Sequence, residues 1–306
     1  MALTRRAALA TLLAAPLARP ATAQPSSIAV VASFSILADM TQRIGEDRVA
    51  IRALAGPNQD LHGFEPLPSD LQAVAQARLL VTNGLGLEGW ADRIAKAAGF
   101  KGVAVVATRG VTALKTAHKH GGHSHGHSHA HGSLDPHAWQ SIANAKLYVA
   151  NIRDGLATAD PTRAAAHAEA AARYTAELDA LDAEIRALLA PIPRPRRRVI
   201  TSHEAFAYFA EAYGIDMLAV SGTWRDAEPS ARELAALTAQ VKRQNIRALF
   251  LENAGTGTGL RALSTETGVA IGGRLYADAL SEPEGPASSY IAMMRHNATK
   301  IAEALK

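Results

Sequence analysis

Residues 160–193, DPTRAAAHAEAAARYTAELDALDAEIRALLAPIP, decide how the rest of the chain is organised. Asp160 is a helix-capping residue type, and Pro161 suits the first helical position, where an N–H would have no partner in any case. Tyr174, Leu178, Leu181, Ile185 and Leu188 then recur at steps of four and three, giving one apolar stripe. Pro191 and Pro193 stop the helix. About thirty helical residues span about 45 Å, more than the diameter of one small lobe. The segment is therefore predicted to be a strut joining two lobes.

On both sides of it, short runs rich in Val, Ile and Leu alternate with segments of helical period, the pattern of βαβ units and parallel sheets. Upstream, strands are predicted at 28–32, 49–54, 79–82 and 103–107. The helices between and after them are placed at 33–44 with Ser33 as cap, 68–77, 87–98 and 139–156. Downstream the order restarts, with strands at 199–202, 217–220, 248–252 and 269–272 and helices at 204–213, 230–244, 257–267 and 287–305. The predicted fold class is thus α/β, with two similar lobes built on parallel sheets and joined by one long helix. A cleft between the lobes, at the carboxyl ends of the strands, is where a ligand of such sheets would bind. The units are an N-terminal segment over 1–23, a first lobe over 24–158, the linking helix over 159–193 and a second lobe over 194–306.

The N-terminal segment, MALTRRAALATLLAAPLARPATA, has a basic start, an apolar run from Ala7 to Leu17 and small residues at its end. That is the order of an export signal, cleaved near Ala23, and the apolar run is too short to span a bilayer. The paired Arg5 and Arg6 are compatible with either general or twin-arginine export. Without residues 1–23 the chain holds 29 basic against 28 acidic residues, so most of its apparent basicity belongs to the signal. A chain this close to neutral is not built to neutralise phosphates, and nucleic acid is not expected as a partner. There is no cysteine, which excludes both disulfides and thiolate metal sites.

Seven of the twelve histidines fall within 118–131, HKHGGHSHGHSHAH: His118, His120, His123, His125, His127, His129 and His131. Such density points to divalent metal, but Gly and Ser leave the tract too flexible to fix four ligands in one geometry. It is read as an accessory. His137, at its downstream end in Asp135-Pro136-His137, is the better candidate for a fixed ligand.

The other histidines are His62, His137, His167, His203 and His296. His62 follows the second strand, His137 the last strand of the first half, and His203 the first strand of the second half. Three imidazoles at strand ends around one cleft need a fourth group, and Asp278, just after the last strand, supplies a carboxylate. Such a set suits tetrahedral zinc and also tolerates manganese. Asp60, Glu65 and Glu204 are acids placed to orient the far ring nitrogens. His167 and His296, inside helices with polar neighbours, are expected to be surface residues.

His62 in HGFEPLPSDL, Asp135-Pro136-His137-Ala138-Trp139, Ser202-His203-Glu204-Ala205-Phe206-Ala207-Tyr208-Phe209 and Leu275-Tyr276-Ala277-Asp278-Ala279-Leu280-Ser281 resemble four signature blocks. These belong to the zinc- and manganese-binding solute-binding proteins of bacterial ABC transporters, the ZnuA-like and AztC-like group. The resemblance covers essentially the whole chain after the signal. It implies two α/β lobes joined by a rigid long helix, metal ligands at His62, His137, His203 and Asp278, and a His-rich insertion ahead of the second block. In manganese-specific relatives the third position carries Glu, so by this resemblance His203 favours zinc. The chain departs from several zinc relatives in lacking a cysteine pair. It also has Asp278 where some of them use no fourth protein ligand.

The resemblance implies a periplasmic protein that captures Zn²⁺ as its transported ligand, with Mn²⁺ second, and delivers it to an ABC transporter permease in the inner membrane. It is expected to be a monomer, and the tract could dock a periplasmic metallochaperone. A zinc buffer or chaperone is the alternative. An exported zinc hydrolase would need an open metal position and a general base. His203-Glu204 begins like an HExxH helix, but position 207 is Ala, so the second histidine is missing and no enzyme activity is expected.

Overall fold

The computed structural model describes residues 27–116, 134–220, 229–253 and 255–306. The export signal at 1–23 and the histidine tract at 118–131 lie outside the described residues. The first half runs β1 (Ile28–Phe34), α1 (Ser35–Gly45), β2 (Val49–Ala55), α2 (Pro68–Gln76), β3 (Leu79–Thr82), α3 (Ala91–Ala97), β4 (Val103–Val106) and α4 (Ile142–Ala159). The linking helix α5 is Ala164–Leu189, preceded by a single 3-10 turn at Pro161–Arg163. The second half runs β5 (Arg198–Thr201), α6 (Ala207–Tyr213), β6 (Asp216–Ala219), α7 (Ala231–Gln244), β7 (Ala248–Glu252), α8 (Thr258–Thr267), β8 (Ile271–Leu275) and α9 (Tyr290–Leu305).

Each half forms one four-stranded sheet, in the orders β2-β1-β3-β4 and β6-β5-β7-β8. All pairings between named strands are parallel. The two lobes therefore share one topology, with the strand order reversing beside β1 and β5. The central strands β1, β3, β5 and β7 are the more deeply buried, which is why they read as apolar runs, whereas the edge strands are partly exposed. On the outer faces, Val31 and Leu80 of the first sheet cluster with Val74 of α2 and Ile94 of α3, and Ile200 and Leu249 of the second with Val241 of α7 and Leu260 and Leu263 of α8. On the inner faces the lobes share one core, which includes Phe34, Trp139, Tyr148, Tyr174, Phe209, Phe250 and Tyr290.

The long helix lies in that shared core. It packs against α1 and α4 of the first lobe and α9 of the second. Its buried face is His167, Ala170, Ala171, Tyr174, Leu178, Leu181, Ile185 and Leu189. The apolar stripe thus ends on Leu189 rather than Leu188. His167 is fully buried, with Nδ1 3.3 Å from the Ile44 carbonyl, contrary to the surface position expected for it. Packing α5 against α1 covers the ring whatever its polar sequence neighbours. His296 is half-buried, with Nε2 3.0 Å from the Arg274 carbonyl oxygen.

Other departures from the sequence reading are local and have identifiable causes. Ser33 is not a helix cap; it lies in β1, where its hydroxyl donates to Glu88 Oε1 over 2.6 Å. The helix expected from 87 begins only at Ala91. Gly84, Leu85 and Gly86 take φ of 91°, 54° and 85°, wrapping the loop around the Glu88 carboxylate, which accepts from the Asn83 and Gly84 N–H groups. The strand expected at 269–272 runs instead over Ile271–Leu275. Gly268, at φ 73°, ends α8, and the register of the β7 pairing shifts between Leu249 and Phe250.

Candidate metal centre

His62, His137, His203 and Asp278 come together at the carboxyl ends of the strands, between the lobes. One ligand atom from each lies within 4.8 Å of all the others. His62 stands in the loop after β2, opened by Gly56-Pro57-Asn58 with Asn58 at φ 55°, and Asp60 Oδ1 accepts from its N–H. Asn58 N–H also donates across the lobes to the Leu280 carbonyl over 2.9 Å. His137 follows a stem in which Lys115 and Leu134 form an antiparallel bridge and Asp135 N–H donates to the Leu114 carbonyl. His203 comes two residues after β5. There the Thr201 hydroxyl donates to its carbonyl, so the chain turns back before α6 begins at Ala207 rather than at Glu204. Asp278 follows β8, and Asn297 of α9 brackets Tyr276 by hydrogen bonds to both its N–H and its carbonyl.

The spacings have the scale of a coordination sphere. His62 Nε2 lies 3.3 Å from His137 Nε2 and 3.7 Å from Asp278 Oδ2. His137 Nε2 is 3.4 Å from Asp278 Oδ1, and His203 Nε2 is 3.3 Å from Asp278 Oδ2. A tetrahedron with metal–ligand bonds of about 2.0–2.1 Å has edges of about 3.3–3.4 Å. Four ligands could thus reach one dication with little rearrangement.

Behind two of the rings stand buried carboxylates. Asp135 Oδ1 is 2.7 Å from His137 Nδ1 and also accepts the His137 N–H. Glu252, at the end of β7, holds His203 Nδ1 through Oε2 and accepts the His203 N–H through Oε1. Each carboxylate fixes ring direction and leaves Nε2 facing the centre, the arrangement found behind histidine metal ligands. Sequence reasoning gave this role to Asp60, Glu65 and Glu204. Asp60 accepts from the His62 backbone N–H, and the ring of His203 is held by Glu252. The signal for Glu252 was available as the one charged residue closing the apolar run ALFLE, buried in the structure.

Three of the four groups are shielded and one is not. The side chains of His137, His203 and Asp278 are 5%, 12% and 1% exposed, whereas that of His62 is 41% exposed, so the centre meets solvent on its His62 side. Burial opposes charge on His203, but Glu252 and Asp278 beside it outweigh burial and push its pKa up to about 10. Burial likewise opposes charge on His137, and Asp135 and Asp278 raise its pKa nonetheless. Burial acts against charge on Asp278 as well, but the neighbouring imidazoles hold its pKa well below the usual carboxylate value. On His62 burial prevails, and its pKa is lowered.

Residues 30–304 match the family described as ZnuA, the periplasmic zinc-uptake complex component A. The chain belongs to this family. ZnuA-family members are metal-binding solute-binding proteins of ABC transporters. The chain is 32% identical to the manganese-binding lipoprotein MntA of Halalkalibacterium halodurans, over 90% of this chain and 88% of that one. It is 31% identical to the iron-binding protein YfeA of Yersinia pestis, over 90% and 85% respectively. The periplasmic zinc-binding protein TroA of Treponema pallidum superposes with a TM-score of 0.79 at 26% identity, over 92% of this chain and 99% of that one. A Mn-bound periplasmic metal-binding protein of Candidatus Liberibacter asiaticus gives a TM-score of 0.77 at 28% identity, over 90% and 99%. The two-lobed ZnuA-family architecture is thus common to relatives named for different metals.

Proposed function

We propose that the chain captures Zn²⁺ outside the cytoplasm and delivers it to an ABC transporter permease in the inner membrane, with His62, His137, His203 and Asp278 as the ligands. The observation that carries this reading is the convergence of three imidazoles and one carboxylate, with ligand atoms all within 4.8 Å of one another and two of the rings backed by buried acids. Three nitrogen donors and one oxygen in a four-ligand set suit zinc, whereas manganese favours oxygen-rich, six-coordinate surroundings. Four protein ligands also complete the sphere, leaving no vacancy for a substrate to be activated, which favours carriage over hydrolysis.

Manganese is the second reading, favoured by the names of several relatives, among them the MntA lipoprotein above and PsaA of Streptococcus anginosus at 29% identity. The decisive experiment pairs competition titration of the purified chain with growth of a strain lacking it. The expected result is one tightly bound Zn²⁺ per chain, lost in His203→Ala, and a growth defect at scarce zinc that added zinc relieves and manganese does not. Relief by manganese alone would transfer the reading to Mn²⁺.

Several relatives are named as lipoproteins, so attachment at the membrane surface is the alternative to a free periplasmic chain. We place the chain in the periplasm, as a monomer. The histidine tract collects metal or docks a metallochaperone donor. Unchanged uptake at scarce zinc after deletion of 118–131 would remove that role.

A further inference from the structure

We propose that Gln140 and Trp139 are positioning residues for Asp278, setting from the first lobe the carboxylate that the second lobe contributes; this rests on the ligand set above. Trp139 Nε1 and Gln140 Nε2 each donate to the Ala277 carbonyl oxygen over 2.9 Å. All three residues are fully buried, and the contact joins positions 138 and 137 residues apart. The Ala277 carbonyl lies in the peptide plane that leads directly into Asp278, so two donors on its oxygen fix the direction from which the Asp278 side chain departs. On the far side of Asp278, Leu280 N–H donates to Ser35 Oγ over 3.0 Å and the Leu280 carbonyl accepts from Asn58. Asp278 is thus suspended between two attachments to the lobe it does not belong to.

The same short segment also carries His137. Asp135 orients the His137 ring, and Trp139 and Gln140 follow in the 3-10 turn Ala138–Gln140. Six consecutive residues therefore reference both His137 Nε2 and Asp278 Oδ1, which stand 3.4 Å apart. Gln140 provides the independent sign that this is more than packing. Its Oε1 is buried with no hydrogen-bond partner, a state that costs stability and that an aliphatic side chain would avoid. The bond from its Nε2 is the one thing this side chain supplies that Leu would not.

The test is zinc affinity, by competition titration, of the full chain carrying Gln140→Leu, Asp278→Asn or both. Gln140→Leu is expected to weaken zinc binding about ten-fold or more, the usual range for groups that orient a metal ligand. The melting temperature of its metal-free form is expected to hold or rise. On the Asp278→Asn background the same substitution should change affinity by less than about two-fold, because coupling disappears once one partner is gone. Trp139→Phe, which deletes the second donor and keeps an aromatic ring, should weaken zinc binding in the same sense. Unchanged affinity in Gln140→Leu, or equal losses in both backgrounds, would overturn the positioning role while leaving the metal centre standing. Asp278→Asn binding zinc as tightly as the parent would overturn the ligand set and this proposal with it.

Discussion

His203 and Glu252 concentrate the chemistry of the centre in one contact. Glu252→Gln removes the charge that holds the His203 ring, and zinc affinity is expected to fall about 10- to 100-fold, read by competition titration. The same pair gives the metal-free protein a pH dependence of definite sign. Because the folded-state pKa of His203 is raised to about 10 from 6.5, its contribution to stability is complete below about pH 6.5 and is lost as pH rises towards 10. The melting temperature of the metal-free chain should therefore decline over that window, and less steeply in Glu252→Gln. Metal affinity should run the other way, falling from about pH 7 to pH 5 as protons compete for the rings. A flat affinity profile would count against histidine ligation. At this scale the sequence was informative about the four proposed ligands, because each sits in a loop directly after an apolar strand or in a short motif. It was silent on Glu252 as partner of the His203 ring, since pairing across 49 residues depends on which strand ends become neighbours, whereas Asp135 stands only two residues before the ring it orients.

At the scale of elements, the central strands were legible because burial leaves an apolar run, and β3 and β7 fall where the sequence puts them. Helix starts were less so. Ser33, Leu87 and Glu204 all look like helix beginnings, but each lies where side chains or backbone are committed to a buried acid or to a ligand turn. His167 shows the same limit: a histidine among alanines and acids gives no hint that a neighbouring helix will cover it. Close approach of elements is a further property that sequence conceals. A Cβ at Gly155 of α4 would clash with Val105 Cγ2 of β4. Gly155→Ala is therefore expected to destabilise the fold by about 1–3 kcal/mol through overpacking, measured by denaturant unfolding. Zinc affinity of the folded protein should stay within about two-fold, since none of the four groups lies on either element.

At the scale of the whole molecule, repetition of one strand order on either side of a long helix was readable, but the degree to which the lobes share a core was not. Tyr174 and Leu178 of α5, Tyr290 of α9 and Trp139 beside His137 belong to one buried cluster, so the centre sits on a continuous apolar base. Metal bound between the lobes should stabilise that whole unit. Zinc at a hundred times its dissociation constant is expected to add about 2.7 kcal/mol, seen as a concentration-dependent rise in melting temperature that His62→Ala reduces. The central claim is that three imidazoles and one carboxylate from two lobes meet on one ion. Zinc K-edge X-ray absorption on the one-to-one complex, using a chain from which 118–131 has been deleted so that tract histidines do not contribute, addresses it directly. The account predicts a four-coordinate zinc with three imidazoles and one oxygen at about 2.0–2.1 Å. A sphere with fewer than three imidazoles, or a six-coordinate oxygen-rich one, would contradict it.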